Sequence, residues 1–127
     1  MNIDYIFASI AILTLVALTI FQLLLIVGRP YGRLAWGGRY EVLPNRLRVS
    51  SLVSIILYVL IGIVIVSHAQ LAPIIDSTTN LTYSMWFLTA YFTLGVVMNL
   101  ASRSRPERLV MTPVALILAV SCLVLAL

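Results

Sequence analysis

Eight arginines and no lysine make up the basic complement of this chain, and all eight fall in two polar stretches, 29–48 and 102–108. A guanidinium presents a rigid fork of donors that can hold a phosphate or carboxylate through two parallel hydrogen bonds. Arg46, Arg48 and Arg108 stand where long apolar runs begin, so each is expected beside a helix start. The unpaired N–H groups and positive dipole end of a helix start also favour an anion. These three are therefore the candidate site for an anion, and in a membrane the phosphate of an anionic lipid headgroup lies at that depth. The competing reading is topological, because arginine-rich loops mark the cytoplasmic side of a membrane protein with no binding site implied.

A second constellation is uncharged. Gln22, Ser51, Ser54, Asn99 and Thr112 are polar positions at the edges of apolar runs. At a rise of ~1.5 Å per residue, each is expected within the same third of a bilayer, on the arginine side. They read either as hydrogen-bonding contacts between helices, worth ~0.6 kcal/mol each, or as the lining of a polar pocket that opens beneath the arginines. Other chemistry is sparse. No Asp, Glu, Lys or Arg is expected inside the hydrocarbon, where proton-coupled transport normally needs an ionisable group. His68 is the single histidine, expected near the outer interface, and Cys122 is the single cysteine, so no intramolecular disulfide can form. Without paired carboxylates, a ligand cluster or a nucleophile beside a base, neither an enzyme nor a metal or other cofactor is expected. Nucleic acid is not an expected partner.

The elements that must position these residues follow from composition. The chain has 127 residues, 62% apolar and 9% charged, which is too little polar surface for a soluble domain. Crossing ~30 Å of hydrocarbon takes about 20 apolar residues in a helix, and four segments suffice: about 3–28, 49–71, 83–101 and 109–127. The expected fold is an all-α integral membrane protein, a single transmembrane domain over 1–127 built as a four-helix antiparallel bundle. The pattern P-x-R-L-x-apolar-[ST] recurs at Pro44–Ser50 and Pro106–Thr112, so two repeated helical hairpins are one way to build it. The first segment lacks the basic start of a secretory leader and is too long for one. The two arginine loops carry net +4 and +2 against −2 from Asp4 and Asp76, which places both loops in the cytoplasm and both termini outside.

Local signals refine the expectation. Gly28-Arg29-Pro30 should stop the first helix, and Trp36-Gly37-Gly38 reads as a tight turn with an aromatic at headgroup depth. Ser104 and Glu107 fit a capping box, with Glu107 reaching back to the N-cap backbone. In the last helix Thr112, Ala115, Ala119, Cys122 and Ala126 form a stripe of small residues for close helix contact, with Leu118 on another face. Ser51, Ser54, Tyr58 and Gly62 form a stripe in the second helix, and Tyr91, Gly95, Asn99 and Ser102 one in the third; both are expected to be contact faces of a compact bundle. Asn80-Leu81-Thr82 matches a glycosylation sequon in the outer loop.

Ala35-Trp36-Gly37-Gly38, Leu43-Pro44, Leu47-Arg48 and Ser51, with Asn99, Ser102, Ser104, Glu107-Arg108, Met111 and Pro113, resemble the pattern of a group of small, uncharacterised bacterial four-helix membrane proteins. The resemblance covers most of the chain. It implies a bacterial inner membrane and carries over no functional residue. The expected function is a non-enzymatic accessory or scaffold protein whose loops bind anionic lipid or a membrane partner, with homo-oligomerisation or a larger complex as partners. The alternative is a small oligomeric channel or transporter for an anion or polar solute.

Overall fold

The computed structural model describes residues 2–72, 74–76 and 78–127, Thr78 by its backbone alone. Four long helices, α1 (Ile3–Ile26), α2 (Asn45–His68), α3 (Thr78–Leu100) and α4 (Arg105–Ala126), form an all-helical bundle, and the described residues include no strand. All four helices are long and apolar enough to cross a membrane. Two short 3-10 turns, Gly32–Leu34 and Trp36–Gly38, lie in the loop between α1 and α2.

The helices extend past the expected apolar limits at three of four starts. Hydropathy marks only the part that matches hydrocarbon, whereas capping and turn chemistry decide where a helix begins. α2 starts at Asn45 because the Pro44 carbonyl accepts the N–H groups of Leu47 at 2.9 Å and Arg48 at 3.1 Å. Arg46 and Arg48 therefore lie within its first turn rather than before it. α3 starts at Thr78, so Asn80 is helical and Leu81 is buried at 6% exposure. The sequon is thus part of a helix rather than the surface loop expected for an acceptor. α4 starts at Arg105 with Ser104 as N-cap. α1 ends at Ile26 in a Schellman turn, Gly28 taking φ +90° while Arg29 N–H reaches Leu24 O at 3.0 Å and Gly28 N–H reaches Leu25 O at 3.2 Å.

Packing is uneven around the bundle. α4 packs most extensively on α3 and next on α1, α2 leans on α1, and α2 and α3 touch little. The packing order is therefore α2, α1, α4, α3. Ala115, Ala119, Cys122 and Ala126 are buried as the small-residue stripe requires, but Leu118, Ser121 and Leu125 are buried as well. Leu118, expected on another face than the stripe, is buried there at 1% exposure. A helix with neighbours on both sides encloses more than one stripe.

The core lies toward the end that carries both termini. Ala8, Ala11 and Leu15 of α1 meet Ile65 of α2, Met85 and Leu88 of α3, and Ala119, Cys122 and Leu125 of α4. At this end His68 Nε2 lies 2.6 Å from the Leu125 carbonyl oxygen. A carbonyl only accepts, so Nε2 carries the proton, and the bond satisfies one of the carbonyls left without a partner at the end of α4.

Candidate functional site

At the arginine-loop end the bundle opens into a cleft of about 340 Å³. Ser51, Ser54 and Tyr58 of α2 line one side, and Tyr91, Gly95 and Asn99 of α3 line the other. Most of the two stripes expected to be contact faces thus face each other across a gap, while their glycines do lie against neighbouring helices, Gly62 beside Ile12 of α1 and Gly95 beside Ala115 of α4. The reason is the packing order: α2 is held by α1 and α3 by α4, so nothing draws α2 and α3 together at this end. Phe21 and Gln22 of α1, with Ala115 and Leu118 of α4, form the back wall. Leu34, Ala35 and Trp36 of the first loop roof the cleft, and Glu107 lines it at the start of α4.

Four of the five neutral candidates, Gln22, Ser51, Ser54 and Asn99, line this cleft; Thr112 does not, and its Oγ1 is buried without a hydrogen-bond partner. The bonds the four make are long or local. Gln22 Nε2 donates to Tyr58 Oη at 3.4 Å and Asn99 Nδ2 to Met111 O at 3.4 Å, beyond the usual ~2.7–3.2 Å. Ser51 Oγ donates to Leu47 O at 3.4 Å and Ser54 Oγ to Ser50 O at 3.1 Å, each within its own helix. As glue between helices these residues achieve little, which leaves their remaining capacity to the cleft.

The three candidate arginines are held by different segments. Arg46 Nη2 donates to Tyr40 Oη at 2.9 Å, Arg48 Nε to Leu43 O at 2.9 Å, and Arg108 Nη1 to Ser102 O at 2.7 Å. The Arg48 guanidinium also lies beside Gly28, where a Cβ would come within 3.2 Å of it. None of the three lines the cleft. Each ties a helix start or loop together, and no contact joins them around a common point.

The residue that sequence reasoning misplaced is Glu107. Ser104 does cap α4, its Oγ accepting the Glu107 N–H at 3.4 Å, but the reciprocal half of the capping box is absent. Ser102 Oγ takes the Ser104 N–H at 3.1 Å instead. The carboxylate turns to the first loop, where Glu107 Oε2 accepts from Ser102 Oγ at 2.7 Å and from the Gly37 N–H at 2.9 Å. Trp36, Gly37 and Gly38 take φ of 55°, 69° and 73°, three successive left-handed residues that curl the loop and present that N–H. Ser104 Oγ donates to Arg33 O, and a Cβ on Gly38 would sit 2.6 Å from Ser104 Cβ, so roof and helix meet too closely for a side chain. The tight turn at Trp36-Gly37-Gly38 was readable, but its partner stands seventy residues away.

No protein-family model, curated protein or solved structure matches the chain. Fold and cleft alone define the class: a small four-helix membrane-spanning bundle with a packed core toward one end and a polar-lined cleft at the other.

Proposed function

We propose that this protein is a non-enzymatic, multi-pass protein of the bacterial inner membrane that holds a polar-headed ligand in the cleft between α2 and α3. Both termini lie outside in this reading, and the arginine loops face the cytoplasm and its anionic headgroups. The observation that carries it is the gathering of Gln22, Ser51, Ser54, Tyr58 and Asn99 around one cavity, with their hydrogen bonds long or spent within a helix. A purely structural scaffold has no use for a polar lining there; the gap between α2 and α3 toward the opposite end is lined instead mainly by apolar side chains, Leu60, Ile61, Val64, Phe87 and Leu88. The site therefore favours binding or carriage of a solute over a scaffold role, and the arginines serve orientation and lipid contact.

Mild extraction from native membrane followed by native mass spectrometry tests this. Wild type should retain a small molecule of defined mass that a Ser54→Leu variant, with the cleft filled, does not. Loss of the same adduct in an Arg46, Arg48, Arg108 to Gln triple variant, with Ser54→Leu unaffected, would move the site to the arginines. An empty cleft with a stoichiometric protein partner would restore the scaffold. Reporters fused to the C-terminus and at Gly38 test the orientation, a cytoplasmic C-terminus overturning it.

A further inference from the structure

We propose that the cleft selects an amphiphile with an ammonium head, and that Glu107 is its counter-charge; the proposal rests on the cleft being the ligand site. Among the described residues that line the cleft, Glu107 is the charged one, and no arginine is among them. Both donors that hold its carboxylate, Gly37 N–H and Ser102 Oγ, are neutral and go to Oε2, so the negative charge is positioned but not cancelled by a cation.

The neutral lining supplies hydrogen-bonding groups for a polar head. Ser54 gives its hydroxyl proton to the Ser50 carbonyl at 3.1 Å, while the bonds of Ser51, Gln22 and Asn99 are long at 3.4 Å and Tyr58 accepts from Gln22. These groups offer acceptors and donors alike, so they accommodate a polar head of either sign and the charge preference rests on Glu107. Trp36 and Tyr91 add aromatic faces to the lining, and both are about half exposed. A cation is attracted to such faces through the ring quadrupole.

Size and opening define the rest of the ligand. A cleft of about 340 Å³ is at the small end of ligand pockets, which run from about 300 to 1,000 Å³, so it fits a head and the first carbons of a chain rather than a whole phospholipid. Leu94 and Met98 line the cleft yet are 58% and 66% exposed. They form an apolar exit along which a hydrocarbon chain would leave toward the bilayer. The arginines lie outside the cleft: Arg108, the neighbour of Glu107 in the chain, bonds Ser102 O through its guanidinium and is not part of the lining, whereas Glu107 is.

The test uses the full chain in uncharged maltoside detergent, with Trp86→Phe as background so that Trp36 is the fluorescent reporter. Dodecyltrimethylammonium should change Trp36 emission saturably, and dodecyl phosphate should bind at least about tenfold more weakly, the scale of one charge-assisted contact. Glu107→Gln keeps an oxygen for Gly37 and Ser102 while removing the charge, and should weaken the cation about tenfold with little change for the phosphate probe. Tyr91→Leu, which leaves the loop ties intact, should weaken the cation alone as well. Equal saturable binding of both probes, or stronger binding of dodecyl phosphate, overturns the charge assignment while leaving the cleft as a site. Absence of saturable binding by either probe, or binding that Ser54→Leu leaves unchanged, overturns the cleft reading itself.

Discussion

The two ends of this bundle are built from the same four helices and differ in what stands between them. At the terminal end Ala8, Ala11, Ala119 and Cys122 let backbones approach and pack with Ile65, Met85 and Leu125 into a core, and the groove left between α2 and α3 is lined mainly by apolar side chains, Leu60, Val64, Phe87 and Leu88 among them. At the loop end Ser51, Ser54, Tyr58, Tyr91 and Asn99 surround a cavity. The connections reinforce the contrast. Four residues join α3 to α4, which holds that pair close, whereas eighteen separate α1 from α2 and fold into a roof with Leu43 buried at 1% exposure. In lipid the apolar solvent gives no drive to close a gap, so small residues and direct contact decide where helices meet.

Enlarging one side chain at each end is the strongest way to break this contrast. Ala119→Leu should overpack the terminal end and cost about 1–3 kcal/mol, whereas Ser54→Leu should enter the cleft and stay within about 0.5 kcal/mol of wild type. Thermal unfolding in mild detergent measures both, and equal losses would mean that the loop end is as tightly packed as the other.

The roof comes next in size. Gly38→Ala brings a Cβ to 2.6 Å from Ser104 Cβ at a φ of +73°, while Gly37→Ala meets nothing within 4 Å and carries only the strain of its φ of +69°. The first should cost about 2–3 kcal/mol of local stability and the second about 1 kcal/mol. Hydrogen exchange across residues 31–42 reads the difference, and similar exchange in the two would detach the roof from α4.

Two smaller effects sharpen the comparison. His68→Leu removes the 2.6 Å tie to Leu125 at the terminal end and should lower stability by about 0.5–1.5 kcal/mol. Gln22→Leu loses only the 3.4 Å contact to Tyr58 at the open end, a change of about 0.6 kcal/mol in unfolding, yet it should reduce retention of the cleft ligand. A Gln22→Leu protein with full retention would show that its amide does not face the ligand.

Four membrane-crossing helices could be read without the structure because hydrocarbon thickness acts locally, on about 20 residues at a time. The stop at Gly28 and the cap at Ser104 were readable for the same reason, each depending on residues a few positions away. So was the shared depth of Gln22, Ser51, Ser54 and Asn99, since helix rise alone sets it. What depth could not say is whether stripes at one level touch or stand apart. That follows from the packing order, which placed α1 and α4 between α2 and α3, enclosed Leu118, and left Thr112 outside the cleft. Glu107 shows the limit most plainly. Its spacing from Ser104 satisfies the capping pattern, but Ser102 reached the Ser104 N–H and Gly37 reached the carboxylate, and which donor meets an acceptor is decided by positions in space that no local spacing encodes.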